Sequence, residues 1–158
     1  MIKKIIFYLI VLSCIRFTSC SWILGFYLIN SSAEEINIEM KLQDSLRGTF
    51  AIFDYNDAAA YPLSKHSDFM YDKSFQIRYD TLNKFSNLIF KIPVNTAVQI
   101  GVLHNDTYKN HDQYFINGRV FNLEKIIIKK KTGNTTITYD SFDRFFQKGS
   151  NRVQYIIN

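Results

Sequence analysis

Every second residue of Ile36-Asn37-Ile38-Glu39-Met40-Lys41-Leu42 is apolar, and the residues between are polar. Successive side chains of an extended chain point to opposite faces, so this stretch predicts a strand with one dry and one wet face. The same period returns in Ser74–Tyr79, with Phe75, Ile77 and Tyr79 inward, and again at Leu88, Phe90 and Ile92. It continues at Val98, Ile100 and Val102, and closes the chain at Val153, Tyr155 and Ile157. Thr49–Tyr55 is apolar on both faces until Asp54, and Trp22–Ile29 is an apolar run that also reads as a strand. Val120–Lys130 carries Ile126-Ile127-Ile128, the run with the strongest burial signal. Pro93-Val94-Asn95-Thr96 reads as a turn, and Gly133-Asn134 as the turn that returns Thr135–Tyr139 as a hairpin partner.

Two stretches lack periodicity: the connection Asn56–Lys73, and the polar loop Asn105–Asn117, interrupted by Tyr114-Phe115-Ile116. Only one helix is expected. Asp140 can cap it, Phe142, Phe145 and Phe146 share one face, and Gly149 ends it. About eight or nine strands and one short C-terminal helix predict a mainly β chain, a single antiparallel β-sandwich of the immunoglobulin or transthyretin kind. No long helical periods separate the strands, which argues against a parallel α/β sheet.

The first twenty residues have a different character. Lys3 and Lys4 precede an apolar run from Ile5 to Leu12, and small residues then lead to Cys20. This order of charge, apolar core and small residues is that of an export signal. An uncleaved anchor over residues 5–29 is the competing reading. Arg16 lies near its middle, at a cost of roughly 2.5–3.5 kcal/mol for a central charge. The domains expected are a signal peptide at residues 1–19 and one β-sandwich domain at residues 20–158.

Removing residues 1–19 changes what charge and cysteine content imply. Losing Lys3, Lys4 and Arg16 leaves sixteen Lys and Arg beside fourteen Asp and Glu, so the formal charge falls from +5 to +2. A near-neutral domain gives no warrant for nucleic-acid binding. Lys129-Lys130-Lys131 is a local basic cluster, expected as a solvated strand end or turn. Both cysteines, Cys14 and Cys20, lie in the signal region, so no disulfide is expected in the domain.

Catalytic constellations are weak. His104, Asp106, His111 and Asp112 share one polar loop and His66 lies apart. There is no H-E-x-x-H and no cysteine pair, and Asn, Asp and His also collect in loops for turn reasons. Ser64-Lys65-His66-Ser67-Asp68 puts Ser, His and Asp side by side, which is not triad geometry, and no G-x-S-x-G surrounds a serine. The expectation is a chain with no catalytic residues, no metal and no cofactor. Of the fourteen Phe, ten Tyr and one Trp, most fall on inward positions. Tyr61, Phe69, Tyr71, Tyr108 and Tyr114 lie in or beside loops, and a surface for a partner or glycan is expected there.

Phe17-Thr18-Ser19-Cys20 resembles a relaxed lipobox, and with the Lys-Lys start it is similar to the signals of Bacteroidota outer-membrane lipoproteins. The resemblance covers residues 1–20. Asp44-Ser45-Leu46 and Asp80-Thr81-Leu82 resemble the D-(S/T)-apolar sites that such bacteria O-glycosylate. The resemblance implies lipidation at Cys20 by palmitate-type acyl chains, with Cys14, after Val11-Leu12-Ser13, as the alternative. Acyl chains contribute about 0.8 kcal/mol per buried CH₂, so several hold a protein firmly on a membrane. It further implies a cell-envelope protein held on the outer membrane. Ser21-Trp22-Ile23-Leu24 replaces the acidic residues of the surface-export pattern, which implies a periplasm-facing or complex-bound protein. The function expected is a non-enzymatic accessory or binding subunit with a protein partner in the envelope. The alternative is a lipoprotein immunity or inhibitor protein acting on a toxin or lytic enzyme.

Overall fold

A computed structural model describes residues 22–43, 51–53, 58–64, 68–77, 79–83 and 87–158. The signal segment with Cys14 and Cys20, the triplet at 44–46, both ends of the expected strand at 49–55, and His66 lie outside the described residues.

The described residues form a β-sandwich with one short helix near the C-terminus. The strands are β1 (Ile23–Asn30), β2 (Ile36–Leu42), β3 (Ala58–Pro62), β4 (Phe75–Ile77), β5 (Asp80–Asn83), β6 (Asn87–Ile92), β7 (Thr96–His104), β8 (Leu123–Lys130), β9 (Gly133–Thr138), β10 (Gln147–Lys148) and β11 (Arg152–Ile157). The helix, α1, spans Phe142–Phe145. One sheet has the order β10-β11-β1-β7-β3-β4, the other β5-β6-β2-β8-β9. Every named strand pair is antiparallel except β1 with β11, which run parallel.

The alternation of β2 is realised residue by residue: Ile36, Ile38, Met40 and Leu42 are buried. They meet Phe26, Leu28, Val98 and Ile100 of the facing sheet in one core. Of the Ile126-Ile127-Ile128 run, Ile126 and Ile128 enter that core and Ile127 turns to the outer face, as period 2 requires. β1 differs. All its residues but Ile23 are buried, because Leu24, Phe26 and Leu28 face the core while Tyr27 and Ile29 lie under a second apolar layer outside the sheet.

Several expectations need adjustment. Ala58–Pro62, expected within a connection, is β3, held between β7 and β4. Asp80–Asn83 is a further strand, on the edge beside β6. Phe75, expected inward, is exposed, because β4 is the edge of its sheet. The β8–β9 turn falls on Lys131-Thr132, and Gly133, at φ 136°, already pairs with Lys130. α1 starts behind a 3-10 turn, Tyr139–Ser141, where Thr138 and Ser141 form a reciprocal cap in place of Asp140. It stops at Phe145, short of Gly149.

Inside the expected strand at 49–55, Ala51 bridges Val120 and Phe53 bridges Gly101, with Ile52 and Phe53 fully buried. A Cβ on Gly101 would lie 2.7 Å from the Ile52 carbonyl oxygen. The missing side chain lets this segment cross close enough for the Val102 amide to donate to Ile52 O at 3.0 Å.

Register decides what gathers where. Ile23 pairs with His104, Leu42 with Leu123, and Lys125 with Thr138. The start of β1, the ends of β2, β7 and β9, and the start of β8 therefore share one end of the sandwich. The loop 105–121 crosses between the sheets there. The β1–β2 and β6–β7 crossovers occupy the opposite end.

Candidate functional site

The outer face of the six-stranded sheet carries an aromatic layer. Pairing places Tyr27 between Gln154 of β11 and Gln99 of β7, with Ala59 beyond, and Tyr61 over Ala97. Tyr61 and Phe69 stack with ring centroids 5.9 Å apart and planes 6° apart. Tyr27 meets Phe69 edge-on at 4.9 Å, and Tyr71 meets Tyr61 at 5.2 Å. The Arg152 guanidinium lies 4.9 Å from the centre of the Phe69 ring, within cation–π range. Tyr61 donates its hydroxyl to Gln99 Oε1 at 3.1 Å.

Tyr71, 62% exposed, rises at the margin of this layer. Beside it a cleft of about 230 Å³ is lined by Ile23, Gly25, Tyr27, Tyr71, Gln99, Asn151 and Arg152. Gly25 forms its floor because the Tyr27 ring folds over it: a Cβ there would lie 2.4 Å from Tyr27 Cε2. Burial, and then the neighbouring Tyr61 and Tyr71, push the Tyr27 phenol well above its ordinary value, so it is a neutral donor. Gln154 Oε1, on the same face, is buried without a partner. Aromatic faces, hydroxyls, amides and one guanidinium thus converge at this cleft.

The sequence-selected residues divide. Tyr61, Phe69 and Tyr71 come together in this layer. Phe69 is largely covered and acts as its base. Tyr108 turns inward, with its ring edge-on to Phe26 at 5.1 Å, so it belongs to the core and offers no face to a partner. Tyr114 is 86% exposed on the loop 105–121, at the end of the sandwich. Tyr27, Gln99 and Arg152 were not singled out by the sequence. The available signal was β1 itself: a strand with no wet face needs a cover on its outer side.

His104, expected in the polar loop, is the last residue of β7, and the loop uses Asp106, His111 and Asp112 internally. Asp106 is buried and accepts from the Thr107 amide at 2.7 Å and the Ile116 amide at 2.6 Å. Asp143, on α1, accepts from the Tyr108 hydroxyl at 2.9 Å, the His111 amide at 3.0 Å and His111 Nδ1 at 2.7 Å. Burial alone would raise the Asp143 carboxyl. The donors from His111 and Tyr108, with Lys148 nearby, outweigh it and hold the group below its ordinary value. His111 Nε2 lies 3.3 Å from Asp112 Oδ2, and Tyr139 donates to Asp112 Oδ1 at 2.7 Å. Burial first, and then Asp112, push the Tyr139 phenol up to about 12.

Both imidazole nitrogens of His111 thus face carboxylates. A cleft of about 360 Å³ lies beside it, between Gln43, Arg119, Tyr114 and Tyr139. Among the described residues no group of three or more His, Cys, Asp or Glu side chains is arranged to hold a metal ion, and no helix is long and apolar enough to cross a membrane. Comparison with protein families, with curated proteins and with solved structures returns no match to this chain.

Proposed function

We propose that this chain is a lipid-anchored cell-envelope protein, attached to the outer membrane through Cys20 and facing the periplasm. It acts as a non-enzymatic binding subunit. The observation that carries the binding role is Tyr71, largely exposed above an already ordered layer of Tyr27, Tyr61 and Phe69, next to the cleft that Arg152 and Gln99 share. Rings held this way lose little freedom on binding, and Tyr and Arg are the side chains that most often dominate protein interfaces. The anchor is supported by the Phe17-Thr18-Ser19-Cys20 segment and by the start of β1 at Ile23, three residues further on.

Two experiments test the proposal separately. Acyl labelling of the wild type, Cys20→Ala and Cys14→Ala tests the anchor, with label expected to vanish in Cys20→Ala; label retained there overturns the assignment. A photo-crosslinking residue in place of Asn151, exposed in the lining of the cleft beside Tyr71, is expected to capture one discrete envelope protein in cells. The same probe at Lys125, on the outer face of the other sheet, is expected to capture none. The opposite result moves the binding face to the five-stranded sheet.

A further inference from the structure

The end of the sandwich from which the N-terminal segment leaves carries its own apolar surface. Trp22 and Ile23 open β1 and are both exposed, and Ile116 and Tyr114 on the loop 105–121 are 85% and 86% exposed. Hydrogen bonds hold Trp22, Ile23 and Ile116 to one rim, and Tyr114 stands on the same loop two residues before Ile116. The Trp22 amide donates to Asn105 Oδ1 at 3.1 Å, and the Asn105 amide donates to Trp22 O at 3.0 Å. Asn117, next to Ile116, donates its side-chain amide to the carbonyl of His104, the residue paired with Ile23. The Ile116 amide is fixed on the buried Asp106 carboxylate. Gly118, at φ 73°, turns the chain back at that point.

Isolated exposed apolar residues are ordinary, but three large ones on one pinned rim, with a fourth on the same loop, are not. Phe115, between Tyr114 and Ile116, is buried beneath them and stacks on Tyr108 with ring centroids 6.4 Å apart. The loop therefore holds its outward residues from below. Charges of both signs are exposed at this end: Lys109 and Asp112 on the loop 105–121, and Asp140 and Arg144 on the turn and helix that follow β9. Any attraction here is apolar rather than ionic.

We propose that Trp22, Ile23, Tyr114 and Ile116 form a membrane-resting face that sits in the headgroup region of the bilayer holding the anchor. This rests on the reading of Cys20 as the lipidated residue. Cys20 stands two residues before Trp22, and two residues span at most about 7 Å. A lipid on Cys20 thus brings this end of the sandwich to the bilayer surface, where Trp and Tyr rings and aliphatic groups are at home. The Tyr27, Tyr61 and Phe69 layer lies on the outer face of the same sheet, and the cleft beside Tyr71 meets the rim at Ile23.

The test uses the lipidated full-length mature protein, reconstituted in vesicles of phosphatidylethanolamine and phosphatidylglycerol doped with acyl-brominated phosphatidylcholine. The only tryptophan, Trp22, is replaced by Phe, and a single Trp probe is introduced as Ile116→Trp or as Val94→Trp. Val94 is exposed at the far end of the sandwich. The Ile116→Trp probe is expected to lose most of its emission to the brominated lipid and to shift to the blue, and the Val94→Trp probe to do neither. Tyr114→Trp serves as a second probe of the face. Flotation with the vesicles is read in the same samples. Protein that floats with both face probes unquenched overturns the membrane-resting face and leaves the anchor standing. Protein that does not float overturns the anchor and this inference with it.

Discussion

At the far end of the sandwich one side chain closes two crossovers; at the loop end the long connection 105–121 is closed by a network. The far-end residue is Asn30, fully buried at the end of β1. Its Nδ2 donates to Glu34 O at 2.8 Å, Ile92 O at 3.0 Å and Pro93 O at 3.0 Å. Its Oδ1 accepts from the Ser32 amide and hydroxyl. One amide thereby satisfies backbone groups of both the β1–β2 and β6–β7 crossovers, and little apolar surface is left over. At the loop end Asn122 does similar work for the segment 51–53, accepting from Phe53 N at 2.9 Å and donating to Phe53 O at 2.8 Å. The loop 105–121 is too long for one such side chain. It adds the Asp106 and Asp143 carboxylates, Arg119 on Ala51 O at 2.8 Å, and aromatic packing of Tyr108 and Phe121 against Phe142. Short crossovers can be closed by backbone satisfaction alone. The long loop needs its own core and charges, and it can then hold apolar residues outward.

The largest effect should come from the aromatic base of the loop end. Phe142 is fully buried and contacts Phe26, Phe53, Tyr108, Phe121 and Phe146. Phe142→Ala is expected to cost about 3–5 kcal/mol in urea unfolding. Amide exchange should rise in the loop 105–121 before it rises at the crossovers.

Asn30→Ala is next, at about 3 kcal/mol, because several buried backbone groups lose their partner at once. Exchange should now quicken at Ser32 and Thr96 while the loop stays protected. If the loop loosens instead, the two ends are not independent.

Asp143→Asn should cost about 1–2 kcal/mol at neutral pH. The Asp143 carboxyl titrates below its ordinary value in the folded chain. A depressed carboxyl contributes stability above its unfolded pKa, about 4, and loses it as pH falls through the folded value. The gap between wild type and variant should therefore close as pH drops below about 4. A gap that persists in acid would mean that shape, not charge, holds the loop.

The smallest effect on stability is expected for Tyr71→Ala, within about 0.5 kcal/mol, since the ring is mostly exposed. It should nonetheless abolish capture of the partner if the aromatic face is the binding surface.

Much of the framework was legible beforehand. β2 runs over the very residues whose alternation announces it, and β6 and β11 follow their patterns closely. β3 was not legible, because Ala-Ala-Ala-Tyr-Pro has neither β-branched residues nor alternation. It becomes a strand only because β7 offers it an edge. In the loop 105–121 polarity misled in part. Asp106 looks like a solvated or ligating residue but is a buried acceptor for backbone amides, and Tyr108 looks like a surface ring but fills the core. Of the aromatic face, Tyr61, Phe69 and Tyr71 were visible as unpatterned aromatics. Tyr27 and Arg152 were hidden inside strands that already had an explanation.

The sequence by itself determined which stretches extend and which of their residues face a core, because side-chain alternation is a local property of an extended chain. Only the tertiary structure decided where each strand lies: β1 between β7 and the parallel β11, buried on both faces, with Trp22 and Ile116 on one rim. Strand neighbours are chosen by contacts between residues far apart in the chain, here more than a hundred positions for Phe26 and Val153. No local pattern encodes such a pairing.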